Sequence, residues 1–355
     1  MDYRKFISEK RKPVATPPSI VDDKGKVVFG TFDKEFEKLD LTKLDHPCGK
    51  AYPNFLNKAR LTLWEACEIR LDEGTLLTAV SDMALFGIDI HLFYEKRTGK
   101  VLRWSNNLPS KKTTIAPNLL SGSVTEARTK DSFTRFENHF EAGTASVKGE
   151  AASEEGTIEY EFTLKRVSLP CIVSIPFGPN KPLYSQKDFF RVEGHLTLNG
   201  ERFEAKDSAF AIIDDHKGYY PYRMHYDWCT GLGKIKSGDK TIPLSFNLTQ
   251  NQSTDPENYN ENLLWLEGAA SPLPPVKFEH QEGGSLWSVR DEHDMVHVDF
   301  RLASDRYAMV VHPLVIRIDY FVTFGTFTGY VRDLSGKKYV VDGMDGIGED
   351  KTMRF

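Results

Sequence analysis

Beyond its first fifty residues the chain alternates apolar and polar positions with a period of two, the spacing that turns successive side chains to opposite faces of an extended strand. Ile88, Ile90, Leu92 and Tyr94 alternate with Asp89, His91, Phe93 and Glu95, and the turn from Lys96 to Lys100 predicts a return strand over Val101 to Trp104. Ile158, Tyr160, Phe162 and Leu164 repeat the habit against Glu159, Glu161, Thr163 and Lys165. Leu196 to Leu198 runs into Asn199-Gly200, a pair that accepts the positive φ of a tight hairpin turn, and Phe203 and Ala205 begin the next strand. In the C-terminal half, Val296, Val298, Phe300 and Leu302 face away from His297, Asp299 and Arg301. Leu314, Ile316, Ile318, Tyr320 and Val322 predict another strand face, with Arg317 and Asp319 opposite.

Short strands punctuated by Gly, Pro and Asn, with no long amphipathic helix after any of them, predict a mainly β protein of antiparallel sheets closed into barrels or sandwiches. A length of 355 residues exceeds what one hydrophobic core usually supports, so two packed domains are expected. The strand rhythm restarts near residues 190–205, which suggests a division into 1–195 and 196–355. The first fifty residues are polar and Pro-punctuated, with one short helix expected over Thr31 to Leu39. Small polar stretches predict loops at Glu141 to Gly156 and at Gln250 to Asn262.

Composition narrows the partners. Net charge is −5 and the basic residues are scattered, which argues against a nucleic-acid surface. No apolar run approaches the roughly eighteen residues of a membrane span. The opening MDYRKFISEKRKP lacks the apolar stretch of a secretory leader, so a cytoplasmic, soluble chain is expected, with Cys48, Cys67, Cys171 and Cys229 reduced. None of these lies in a Cys-x-x-Cys pair. Twenty-three Phe, fourteen Tyr and five Trp suit pleated surfaces and apolar pockets.

The candidate chemistry centres on Asp214 to Trp228. An apolar strand, Ala209 to Ile213, delivers Asp214, Asp215 and His216; Gly218 allows a bend, and Pro221 ends the ladder. On the strand that follows, Arg223, His225 and Asp227 share one face, while Tyr222, Tyr226 and Trp228 share the other. An ionisable cluster beside an aromatic wall is what acid–base chemistry on an apolar molecule needs, because the aromatic wall excludes water and pushes a carboxyl toward its proton-donating form. The same pattern suits a buried ion-pair network clamping a barrel corner, and the two readings remain open at this level.

This stretch resembles the signature of the DUF2804 family: an apolar strand, an acidic turn with Gly, then aromatic-Pro-Tyr-Arg and an aromatic-rich strand carrying Trp. The resemblance extends to Trp64 and Cys67, to Ser81-Asp82, to Phe324–Gly329 and to a glycine-rich acidic turn at Asp342 to Asp350. Asp215-His216 and Tyr226-Asp227-Trp228 are also similar to elements of the carotenoid hydratase-like family, and that resemblance implies two lipocalin-like (calycin-like) barrels. In that family a His and an acid help protonate an alkene so that water adds. Here Lys217-Gly218 stands where the family's pattern leads to a tryptophan two places after the His, which sets hydration itself in question.

The expectation is therefore an enzyme of the hydratase, dehydratase, isomerase or cyclase type. It acts without cofactor or metal on a hydrophobic or aromatic small molecule between two β-barrels. Asp227 is the expected acid, His216 the base or second acid, and Arg223 and Tyr226 the groups that orient them. Asp215, Tyr219, Tyr220, Tyr222, His225 and Trp228 are expected to contact the substrate. A non-catalytic carrier of hydrophobic ligands and a glycan-active hydrolase are the alternatives, the latter with Trp265, Glu261 and Glu267 as the place to look. His293 and His297 with Asp294 and Asp299 fit ordinary polar alternation better than a metal site.

Overall fold

A computed structural model describes residues 3–84, 86–312 and 317–354. Among these residues strands dominate, and the α-helices are two short ones, Tyr3–Lys10 and Asn54–Lys58. The strands form two curled antiparallel sheets, one barrel-like and the other a half-barrel. The fold is mainly β, as the alternation predicted.

The first sheet runs Lys100–Pro109, Phe86–Glu95, Gly74–Asp82, Leu61–Arg70, Phe210–Tyr219, Pro182–Leu198, Gly156–Arg166, Thr144–Ser153, Ser132–His139, Ser123–Arg128 and Thr113–Thr114. The second runs Ala269–Pro272, Leu263–Leu266, Lys240–Gln250, Arg223–Ser237, Met344–Arg354, Arg317–Arg332, Val296–Val311, Leu286–Arg290 and Lys277–Gln281. The chain passes from one sheet to the other between Tyr219 and Arg223, so residue 195 lies inside a strand of the first sheet. Asn199 (φ 51°) and Gly200 (φ 85°) make the expected hairpin turn, also within that sheet.

Three cores follow from this arrangement. The first sheet closes around Ile69, Phe93, Phe136, Phe162, Phe190 and Ile213. The second curls around Phe246, Trp287, Phe300 and Phe327. Between the sheets lies a third core, where Leu77, Ala79, Ile88 and Ile90 of the first meet Trp228, Tyr320, Val322 and Phe324 of the second. Strands such as Gly74–Asp82 are buried along nearly their whole length because each face packs on a different core. Ion pairs rim the seam: Asp345 accepts from Arg70 Nε at 2.8 Å and Lys96 Nζ at 2.7 Å, and Asp305 holds Arg103 at 2.5 Å.

Three elements depart from the reading of the sequence. Residues 31–39 hold no helix: Gly30–Phe32 is a strand paired with Cys171–Pro176, and Phe32 and Phe36 imitate helical spacing while packing edge to face with each other. Residues 141–156 contain the strand Thr144–Ser153, whose inward side chains are small because the ring of Tyr160 lies over them; a Cβ on Gly149 would sit 2.4 Å from its Oη. The acidic turn expected over 342–350 is mostly strand, Met344–Arg354. Leu314 and Ile316 lie outside the described residues, while Ile318, Tyr320 and Val322 form a buried strand face. No helix of the described residues is long and apolar enough to cross a membrane.

The glycines of Met344–Arg354 have a packing role. A Cβ on Gly346 would lie 2.0 Å from the Phe327 ring, and one on Gly348 would lie 2.7 Å from Trp287. Gly346→Val should therefore overpack the second core and cost about 1–3 kcal/mol in urea unfolding. Gly233→Ala, where no atom lies within 4 Å of the added Cβ, should be close to neutral.

Candidate functional site

Strand alternation divides the acidic segment of Phe210–Tyr219 between two environments. Asp215 and Lys217 point into the first barrel and pair with each other. Glu65 joins them there, accepting from Asn138 at 2.8 Å and from Thr125. Burial and the neighbouring Asp215 push its carboxyl up to about 7. Asp214 and His216 point the other way, into the gap between the sheets.

His216 is held at one ring nitrogen by several partners. Nε2 lies 3.0 Å from Ser185 Oγ, 3.2 Å from Glu261 Oε2, 3.2 Å from Asp214 Oδ1 and 3.3 Å from Lys187 Nζ. Lys187 is fully buried, 2.6 Å from Asp214 and 5.4 Å from the centre of the Trp228 ring. Burial would strip the Lys187 proton, yet Asp214 and Glu261 hold it firmly in place. Burial would likewise raise the Glu261 carboxyl, but Lys187 and His216 overrule it and keep that group well below the usual carboxylate range. Glu261 sits in a loop fixed from beneath: Trp228 Nε1 donates to Asn247 Oδ1 at 2.6 Å, and Asn247 Nδ2 donates to the Glu261 carbonyl at 2.9 Å.

The opposite wall comes from the second sheet. Met224, Tyr226 and Trp228 share the inward face of their strand, and Glu349, Lys351 and Met353 share that of the strand beside it. Tyr226 donates to Glu349 Oε2 at 2.7 Å and Tyr320 donates to Glu349 Oε1 at 2.5 Å. Burial, reinforced by Glu349, lifts both phenols well above their ordinary value, so they stay protonated donors. Lys351 stands over the Tyr320 ring at 4.6 Å, with Tyr226 and Trp64 within 6 Å, and makes no ion pair within 4 Å among the described residues. Burial lowers its amine from the usual value. Beside this pocket the fully buried Glu68 is driven well above the carboxylate range by burial and by Asp214. The gap between these walls leaves about 50 Å³ to the centres of water-sized molecules, and Met83, Ile88, Ile90, Phe177, Leu183, Met309 and Ile318 supply most of the rest of its surface.

Of the residues singled out in the sequence, His216, Tyr220, His225, Tyr226 and Trp228 reach this pocket. Asp227 does not, because the alternation that brings Tyr226 and Trp228 inward turns it toward the concave side of the second sheet. There it meets His225 at 3.2 Å and His280 at 3.0 Å. Burial would raise its carboxyl, and these imidazoles bring it below the ordinary value. The structure thus does not join Asp227 to His216. Asp215 lies inside the first barrel; Tyr219 packs on the N-terminal segment, its hydroxyl donating to the Leu41 carbonyl at 3.3 Å; Tyr222 and Arg223 are exposed. Trp265 is core, and Glu267 pairs on the surface with Arg191. His293 stacks on Tyr3 and His297 on Tyr330, so those imidazoles do not converge.

Four groups lining the pocket were not among the expected site residues, Asp214, Tyr320, Glu349 and Lys351, nor was Lys187 behind it, and Glu261 was singled out only for the glycan-active alternative. Alternation with His216 marks Asp214, and Glu349 and Lys351 alternate on a strand that its glycines disguise as a turn. Lys187 comes from a distant segment, and nothing local announces it.

A family model described as "Domain of unknown function (DUF2804)" matches residues 11–355, and the chain belongs to that family. No curated protein matches it in sequence. Among solved structures, kievitone hydratase from Nectria haematococca is 12% identical with a TM-score of 0.48, over 83% of this chain and 89% of that one. An AttH-like protein from Nitrosomonas europaea is 12% identical with a TM-score of 0.49, over 83% and 93%. CghA with Sch210972 is 11% identical with a TM-score of 0.42, over 83% and 88%.

Because the Glu261 carboxyl is depressed, the stability it contributes is present above its unfolded value of about 4.5 and is lost as pH falls toward its folded value. Glu261→Gln should cost about 3 kcal/mol near neutrality by stranding part of the Lys187 charge. The gap from the parent should narrow below about pH 4.5, as read by urea unfolding across pH.

Proposed function

We propose that this DUF2804 member is an enzyme working by proton transfer on a hydrophobic or aromatic small molecule held between its two sheets. The reaction adds water to, removes it from, shifts or cyclises an unsaturated bond. The observation that carries the reading is the pairing of two opposed polar walls, His216 with Asp214 and Glu261 on one side and Tyr226 with Glu349 on the other, across an otherwise apolar pocket.

The geometry supports a division of labour. His216, anchored at Nε2 by Ser185 and two carboxylates, is placed to exchange a proton through its other ring nitrogen, Nδ1, with water or with a substrate carbon. The flanking carboxylates stabilise the imidazolium that forms when it accepts one. Tyr226, kept protonated by burial, turns its single O–H from Glu349 to a substrate oxygen where negative charge develops. Lys351 faces the same charge from among its rings. In a hydration, water loses one proton to His216 as its oxygen bonds to carbon, and the imidazolium then gives that proton to the adjacent carbon, so one H–OH is added and His216 is restored. Tyr220 and Trp228 keep bulk water out and strengthen each of these interactions.

The apolar lining also favours a second reading, a carrier that binds such a ligand without changing it. A glycan-active site finds less support, because sugars need polar partners along their whole length.

Mass spectrometry of small molecules that co-purify with the chain is the first test, followed by turnover of the identified compound in deuterated water. Proton transfer predicts deuterium in the product. His216→Gln and Tyr226→Phe should each lower turnover by roughly 10²–10⁴-fold while ligand affinity changes far less. Tight binding with no product and no exchange would leave the carrier reading in its place.

A further inference from the structure

The ionisable face of Arg223–Ser237 touches the pocket only at His225, and on its other side it gathers side chains of another chemistry. Asp227 lies at its centre, 6% exposed. His225 Nε2 is 3.2 Å from Asp227 Oδ2, and His280 Nε2 is 3.0 Å from Asp227 Oδ1, a contact that lacks hydrogen-bond geometry. Asp350 Oδ1 lies 3.9 Å from His225 Nδ1. One ligand atom each from His225, Asp227 and Asp350 falls within 4.8 Å of the other two.

We propose that these groups form a binding site for one divalent transition cation of the zinc class, with His225, Asp227 and Asp350 as its ligands and His280 supporting Asp227 from outside. Ligand atoms set tetrahedrally at about 2.0–2.1 Å from zinc are separated by roughly 3.3 Å; His225 Nε2 and Asp227 Oδ2 already stand 3.2 Å apart, and Asp350 needs only a small side-chain movement to join them. Imidazole nitrogen with carboxylate oxygen is a donor set that suits zinc and its neighbours.

Two further features point to a cation. Asp227 and Asp350 are direct cross-strand partners, and like charges directly opposite each other destabilise a sheet unless something neutralises them. Asp227 Oδ1 is a buried carboxylate oxygen whose one close partner is the His280 ring, so the carboxylate keeps capacity for a cation beside its two imidazoles. His225, His280 and Asp350 keep 51%, 31% and 28% of their side-chain surface exposed, so an ion could enter from solvent. The second rings are supported as well: His280 stacks on Trp287 at 4.7 Å, and His225 Nδ1 lies 3.0 Å from Thr352 Oγ1, the kind of second contact that orients a ligating imidazole.

The site would serve the second sheet. His280 belongs to Lys277–Gln281, an edge strand that the sheet order separates from Arg223–Ser237 by four other strands. Phe278 N donates to Gln250 Oε1 at 2.8 Å, so the edge already curls back toward the middle. An ion held by His225, Asp227 and Asp350 would fix Asp227, and through its contact with His280 hold that edge against the middle of the sheet.

The test uses the full chain without an affinity tag, stripped by a chelator and dialysed. Zinc chloride is titrated by calorimetry, and cobalt(II) is followed by its visible absorption. About one ion per chain is expected, with a tetrahedral cobalt spectrum and a thermal midpoint that rises with zinc. His225→Ala and His280→Ala should each weaken binding at least tenfold or so, and the double variant by roughly a hundredfold. His312→Ala, an exposed histidine beside Asp319, should change nothing. Circular dichroism establishes that each variant folds, and the milder Asp350→Asn replaces any that does not. Absence of saturable binding, or equal affinity in the double variant, overturns the proposal and leaves a hydrogen-bonded ion-pair cluster.

Discussion

The constraint that governs this molecule is the burial of both faces of the same strands. The first sheet closes around its own core and lends its outer surface to the second sheet, so Leu61–Arg70, Gly74–Asp82, Phe86–Glu95 and Phe210–Tyr219 have almost no face left for water. Every polar side chain on them must then find a partner inside the protein, since burying an unpaired polar group costs more than most single contacts return. Asp89 and His91 meet Ser132, Thr134 and Tyr160 inside the first barrel, and Glu65 meets Thr125 and Asn138. On the other side of the same strands the requirement produces Lys187 with Asp214, Glu261 and His216.

These two sets of buried polar groups differ in one respect. Those inside the barrel face only one another, so their satisfaction serves the fold. The set between the sheets has a cavity on its open side, and its imidazole and carboxylates border space where another molecule fits. The chemistry proposed for the pocket is therefore a by-product of the architecture, in which the groups that a closed sheet must neutralise end up lining a gap. The His/Asp cluster on the concave face of the second sheet obeys the same rule, with a cation suggested in place of a counter-charge.

Much of the fold was legible because a period of two survives even where both faces are buried. Ile158 to Leu164 and Val296 to Leu302 declare their strands, and Asn199-Gly200 declares its turn. What failed were places where the local pattern served something distant. Phe32 and Phe36 copy helical spacing and pack on each other, and Gly149 looks like a loop residue because the Tyr160 ring occupies the volume of its missing side chain. In the site, the split of Arg223–Trp228 into an ionisable and an aromatic face was correct; which face bordered the cavity was not, because that depends on the partner sheet. Lys187, Glu261 and Glu349 come together only through pairings that span much of the chain, and no local motif encodes them.

Met344–Arg354 is the last described strand to be made, yet it sits in the middle of its sheet, between Arg223–Ser237 and Arg317–Arg332. It also supplies Glu349 and Lys351 to the pocket and Asp345 to the rim of the seam. During synthesis every earlier strand must wait for it, with the apolar outside of the first sheet bare in the meantime. Apolar surface left uncovered in this way is what makes incompletely folded chains prone to aggregate. A late truncation would take away the keystone of the second sheet rather than a dispensable tail.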